Sequence, residues 1–228
     1  MKFFKKVILL ILVIFIIIIS VYTVIGYNMY KNALEDMPIQ EKITKIKEET
    51  NYTYFNELPQ TYIDAVIAVE DHRFFKHKGV DYIAVARAIF NDIKSKELIE
   101  GGSSITQQLC KNIYFTQSRK LSRKIAETFM ALKIEKECSK EEIFELYVNT
   151  SYFGDGYYCV GDASKGYFDK KPIDMNIYEC TLLAGIPNAP SVYAPTQNLD
   201  LAEQRQKQVI NKMVEYNYLN VEEADNIK

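Results

Sequence analysis

Three lysines, Lys2, Lys5 and Lys6, precede an uncharged run over residues 7–26, VILLILVIFIIIISVYTVIG. Nothing else in the chain limits its fold as strongly. Twenty helical residues reach about 30 Å, the thickness of a bilayer's hydrocarbon core. A cleaved leader would have a shorter apolar region and a small-x-small cleavage site, and the run has neither. The expectation is an uncleaved transmembrane anchor over 7–26. The lysines keep residues 1–6 in the cytoplasm as a short tail, and everything after Gly26 lies outside the membrane.

All 30 acidic residues follow Gly26, with every basic residue except those three lysines, so that part carries a formal charge of −5. Such a balance argues against nonspecific nucleic-acid binding. A 48% hydrophobic share with 25% charged residues describes a globular body of ordinary size. Residues 27–55 are polar and rich in lysine and glutamate, as expected of a stalk between anchor and domain. From there helical periodicity dominates, near 60–75, 82–98, 103–114, 119–137, 139–150, 160–168, 174–186 and 199–215, and few stretches alternate with period two. Gly101-Gly102, Gly154-x-Gly156 and Pro187-x-x-Pro190 mark turns. A mainly α-helical domain over 56–228 on a membrane tether follows. The four cysteines, Cys110, Cys138, Cys159 and Cys180, form no metal-binding pattern; outside the membrane disulfides are open to them without an assignable pairing, and they read first as small core residues.

Residues 66–81, VIAVEDHRFFKHKGVD, place two carboxylates, Glu70 and Asp71, on an apolar helix. Ile63, Val66, Ile67 and Phe74 share one face at helical spacing, and Glu70 falls within it. A carboxylate there needs a partner or a raised pKa. Residues 101–126, GGSSITQQLCKNIYFTQSRKLSRKIA, contain no acid and five cations: Lys111, Arg119, Lys120, Arg123 and Lys124. Glycines, hydroxyls and amides (Ser103, Ser104, Thr106, Gln107 and Gln108) open that window. The composition suits an anionic ligand, against the blander reading of a solvated basic face. Glu127 closes the window. It is either an i,i+4 partner of Arg123 or a second carboxylate facing an anion site, and paired carboxylates recur in chemistry at anomeric carbons.

Aromatics and glycines interleave over 146–168; they read as core first and as sugar-stacking faces second. His72 and His77 have no third ligand nearby, so no metal site is expected. Segment 82–98 is amphipathic through Ile83, Ala86, Ile89, Phe90 and Ile93, by default a core-facing stripe, alternatively one resting on a membrane surface.

Five ordered stretches resemble the peptidoglycan glycosyltransferases (glycosyltransferase family 51) in their monofunctional, membrane-anchored form: EDHRFFKHKGVD, GGSSITQQLCKN, RKIAETFMALKIE, ELYVNTSYFGDGYYCVGDASKGYF and LLAGIPNAPSVYAP. The resemblance covers about residues 56–215. Departures are small: Ser104 for threonine, Cys159 and Asp169 for glycines. The resemblance implies a lysozyme-like, two-lobed, mostly helical fold. It implies polymerisation of lipid II into β-1,4-linked glycan with inversion and release of undecaprenyl diphosphate. Glu70 then matches the general base and Glu127 the second family glutamate. Lys111, Arg119, Arg123 and Lys124 match diphosphate-holding positions, and Ser103, Gln107 and Gln108 polar cleft positions. Asp71, Phe74, His77 and Asn149 match supporting positions. No cofactor is required, although a divalent cation, Mg or Mn, is compatible. The partners implied are lipid II, the growing glycan chain and the bilayer, with room for other cell-wall synthesis proteins and none for nucleic acid.

Two rivals stand beside it. A lysozyme-like or lytic enzyme would also use paired carboxylates, but cleaving a neutral glycan gives no reason for the cationic window. A noncatalytic cell-wall scaffold would not need Glu70. A transpeptidase would need S-x-x-K and K-T-G, which are absent, so cross-linking is expected of other proteins.

Overall fold

A computed structural model describes residues 2–95, 102–115 and 120–227. The described residues form helices and turns, with no strand among them. Helix α1 (Lys2–Asp36) is followed by α2 (Ile39–Lys47), α3 (Gln60–Glu70), α4 (Tyr82–Ser95), α5 (Ile105–Tyr114) and α6 (Leu121–Glu137). Then come α7 (Lys140–Val148), α8 (Val160–Phe168), α9 (Ile177–Gly185), α10 (Pro190–Tyr193), α11 (Leu199–Glu215) and α12 (Val221–Asp225). Helix α1 is long and apolar enough to cross a membrane, and its apolar stretch is exposed over residues 7–22.

Several helix starts are written in the sequence. Ser104 caps α5 through the Gln107 amide, and the Gln107 side chain answers to the Ser104 amide at 3.2 Å. Asn176 and Glu179 form the same reciprocal cap on α9, while Ser139 and Asn198 cap α7 and α11. Each cap satisfies amides that a helix leaves unpaired. The core gathers α3, α5, α6, α7, α9 and α11, with α3 lying against α9 and α11, and α5 against α6 and α7. Tyr62, Ile67, Phe74, Leu109, Met130, Phe144 and Phe153 are fully buried there.

Three expectations need correction. Residues 27–55 are not a linking stalk. Helix α1 continues past the apolar run to Asp36 and packs on α6, and α2 buries Ile39 and Ile43 in the core. Those two isoleucines sit at i,i+4 spacing, a stripe that the surrounding lysines and glutamates mask. Helix α3 ends at Glu70 instead of running to 75, because Asp71 leaves the helix at φ −161° and ψ 74°. Phe74 reaches the core from a separate 3-10 turn. On α4, Ile83 and Phe90 are exposed rather than core-facing; the side chains of Ile89 and Ile93 lie outside the described residues.

The two glycine replacements are absorbed locally. The Cys159 sulfur accepts the Asp162 amide at 3.3 Å and caps α8. Asp169 ends α8 in the left-handed region at φ 55°, which aspartate tolerates better than most residues. All four cysteines are free, with Cys110 and Cys180 buried and the other two partly so.

Candidate active site

The site begins where α3 stops. Asp71, turned out of the helix, receives the Ile105 amide at 3.0 Å on Oδ2 and lies 2.8 Å from His77 Nε2. A carboxylate at the first amide of α5 complements the positive end of that helix. The contact ties the start of α5 to the end of α3. One turn further on, Gln108 Nε2 donates to Glu70 Oε2 at 2.7 Å, and Tyr147 supports the Gln108 amide oxygen at 3.4 Å. The other Glu70 oxygen is buried without a hydrogen bond, 3.8 Å from the Arg205 guanidinium. Glu70 thus has the partner its apolar setting demanded, and keeps one oxygen for other work.

A cleft of about 770 Å³ opens over this carboxylate, with Lys111 of α5 and Arg123, Lys124 and Glu127 of α6 on its walls. Glu127 is 1% exposed; it pairs with Arg123 and lies 3.2 Å from Lys124. Lys124 also donates to Ser103 Oγ. Burial, then the nearby charges of Arg123 and Lys111, pushes the Lys124 ammonium down to about 8. Burial and Arg123 also lower Lys111, against the pull of Glu70, and burial lowers Arg123. Crowded, half-desolvated cations of this kind gain most from an anionic ligand, which removes their mutual repulsion.

Of the residues singled out from sequence, Glu70, Asp71, Ser103, Gln107, Gln108, Lys111, Arg123, Lys124 and Glu127 all line this one cleft. Gln107 also caps α5 and donates to Thr128 at 3.2 Å. Arg119 lies outside the described residues. Phe74, His77 and Asn149 stand behind the cleft: Phe74 in the core, His77 against Asp71, and Asn149 clipping Thr53 to the end of α7. Among the described residues no cluster of three His, Cys, Asp or Glu side chains could hold a metal.

Sequence reading missed the opposite wall. Arg205, Gln208, Lys212 and Glu215 of α11 line the cleft, joined by Arg87 of α4 and a stacked pair, His72 on Tyr216, with ring centroids 4.2 Å apart. Burial, then Arg87, lowers the His72 pKa. The signal was available: positions 205, 208, 212 and 215 repeat at helical spacing along one polar stripe.

The sequence profile of a family described as Transglycosylase matches residues 38–214. The chain belongs to the transglycosylase family. This transglycosylase is 37% identical over 193 residues to a Cupriavidus necator protein also named as a transglycosylase, covering 85% of this chain and 83% of that one. It is 35% identical over 234 residues to penicillin-binding protein 1F of Bacillus subtilis and 34% over 245 residues to penicillin-binding protein 1A of Vibrio cholerae. Those alignments cover 98% and 99% of this transglycosylase but only 33% and 29% of the longer relatives. The crystal structure of penicillin-binding protein 1A from Haemophilus influenzae aligns with 24% identity and a TM-score of 0.46, over 76% of this chain and 16% of that one. The transglycosylase is accordingly an enzyme of glycosyl transfer.

Proposed function

We propose that this transglycosylase is a peptidoglycan glycosyltransferase that polymerises lipid II into β-1,4-linked glycan. The observation that carries the reading is one cleft holding Glu70, with an oxygen free of hydrogen bonds, and the cations Lys111, Arg123 and Lys124, the last two paired with Glu127. Glu70 takes the proton from the acceptor sugar's 4-hydroxyl, a group far too weakly acidic to ionise unaided near neutrality. That oxygen forms its bond to the anomeric carbon of the growing chain as the bond to the lipid diphosphate breaks. Attack from the face opposite the leaving group inverts the centre. The charge developing on undecaprenyl diphosphate meets the three cations, already in place and half desolvated. Glu127 holds Arg123 and Lys124 in position.

A glycan hydrolase would share the carboxylates but would leave this cation cluster without a task. A divalent cation, Mg or Mn, is compatible with the scheme, although Lys111, Arg123 and Lys124 supply the same charge. The long apolar helix fits a membrane-anchored protein, and the three N-terminal lysines favour a cytoplasmic N-terminus with the cleft outside. There the cleft would meet a lipid-borne substrate.

The test is a gel of products from lipid II and detergent-solubilised protein. Wild type should yield polymer, and Glu70→Gln should yield none while melting as wild type does. Polymerisation by Glu70→Gln at the wild-type rate would remove Glu70 as base. If wild type shortened purified glycan strands and made no polymer, transfer would be the wrong reaction.

A further inference from the structure

The anchor is packed into the domain at one tight point. Gly26 is buried within α1, and a Cβ at that position would lie 2.7 Å from the Ser122 carbonyl oxygen and 2.7 Å from a methyl of Ile125. No ordinary side chain fits at such a distance, so the close approach of the two helices requires glycine. Just beyond, the rings of Tyr27 and Tyr30 lie against Phe129, with centroids 5.3 and 5.9 Å away. Ser122, Ile125 and Phe129 form one stripe of α6 at helical spacing. Arg123, Lys124 and Glu127 of the same helix face the cleft. One side of α6 is therefore seated on the anchor, and the other presents the cations. Gly26 is also the last residue of the apolar run, so the contact falls where the chain leaves the bilayer.

We propose that Gly26 is a positioning residue: by letting the anchor pack directly on α6, it sets where Arg123 and Lys124 stand relative to Glu70. The anchor then backs the helix that carries the diphosphate-holding cations, as well as serving as a tether. This rests on the function proposed above. A side chain at position 26 must push α6 away by several tenths of an ångström or more, and misplacement of about 1 Å at a reacting centre can cost on the order of 10²-fold in rate.

A lipid II analogue with a short, water-soluble prenyl chain, assayed in detergent, separates positioning from tethering, because that substrate needs no delivery by the bilayer. Gly26→Leu should lower kcat at least tenfold on it. Val24→Leu, on the exposed side of the same helix, should match wild type. The chain contains no tryptophan, so Phe129→Trp gives a single emission that reports the α1–α6 contact and should shift when position 26 is enlarged. If Gly26→Leu fails to fold by circular dichroism, Gly26→Ala carries the same Cβ and should show a smaller loss in the same direction. A kcat within twofold of wild type for the folded variant, with activity lost only in vesicles, would reduce the anchor to a tether and overturn the proposal. Absence of polymer from wild type would instead overturn the proposed function, and the tryptophan emission would still show whether the helices part.

Discussion

Lys124 gives the sharpest test of the cation cluster, because its pKa of about 8 brings its charge into an accessible pH range. Near pH 7 about nine-tenths of Lys124 is protonated, and near pH 9 about one-tenth, so the charged fraction falls roughly ninefold over that interval. If the ammonium stabilises a departing diphosphate, the polymerisation rate should fall by a similar factor on the alkaline side. Lys111, also lowered, adds to the fall at higher pH. The groups facing Lys124 are Glu127, Arg123, Lys111, Cys110 and Ser103. Lys124→Arg should flatten the profile between pH 7 and 9, since a guanidinium stays charged throughout. Its absolute rate should be lower, because the bond to Ser103 is lost.

Stability moves the other way. The folded pKa of about 8 lies below the ordinary 10.5, so the unfolded chain binds the extra proton between these values. The cost of holding the charged form is present below pH 8 and is released as pH rises through 8 to 10.5, so stability rises across that window. Lys124 is 39% exposed in its side chain, so solvent screening keeps the effect small. Loss of activity without loss of melting temperature is therefore the expected signature. The assay is the initial rate of polymer formation from pH 6.5 to 9.5 for both proteins, with thermal melts in the same buffers. A wild-type rate that stays flat to pH 9.5, or a Lys124→Arg profile that falls in parallel with it, would refute the role given to Lys124.

Asn149 accepts the Thr53 amide at 2.9 Å and donates to the Thr53 and Glu145 carbonyls at 2.7 and 2.8 Å. Asn149→Ala leaves buried backbone groups unpaired, at a cost of about 2–3 kcal/mol, seen as a lower denaturation midpoint with kcat little changed in the protein that remains folded. Asp169 sits at φ 55°, exposed and paired with Lys165. Because glycine adopts that backbone freely and exposed pairs contribute little, Asp169→Gly should raise the melting temperature by roughly 1 °C, and a lower one would show that the pair matters more than the backbone.

How far the sequence disclosed the molecule depended on how local each cause was. Helices α5 to α9 and α11 lie close to where periodicity and capping residues put them, because a helix's stripe and its cap are both written within a few positions. The end of α3 was not legible in that way. Asp71 leaves the helix to reach an amide 34 positions away, and a bond of that reach has no periodic trace. The stalk was misread for a related reason: composition averages over a helix, whereas Ile39 and Ile43 act through one face alone. In the site, the acid-free window pointed to Lys111, Arg123 and Lys124, because charge of one sign stood out against an acidic domain. Arg205 and Lys212 stayed hidden, since Glu203 and Glu215 dilute their charge along the chain while folding brings the two cations to the cleft. Burial is what turns the pairing of Arg123 with Glu127 from a weak surface contact into a fixed element of the site. A pair at i,i+4 can be read from sequence, but the 1% exposure of Glu127 depends on how α5 and α6 close over it, so the energetic importance of that pair belongs to tertiary packing.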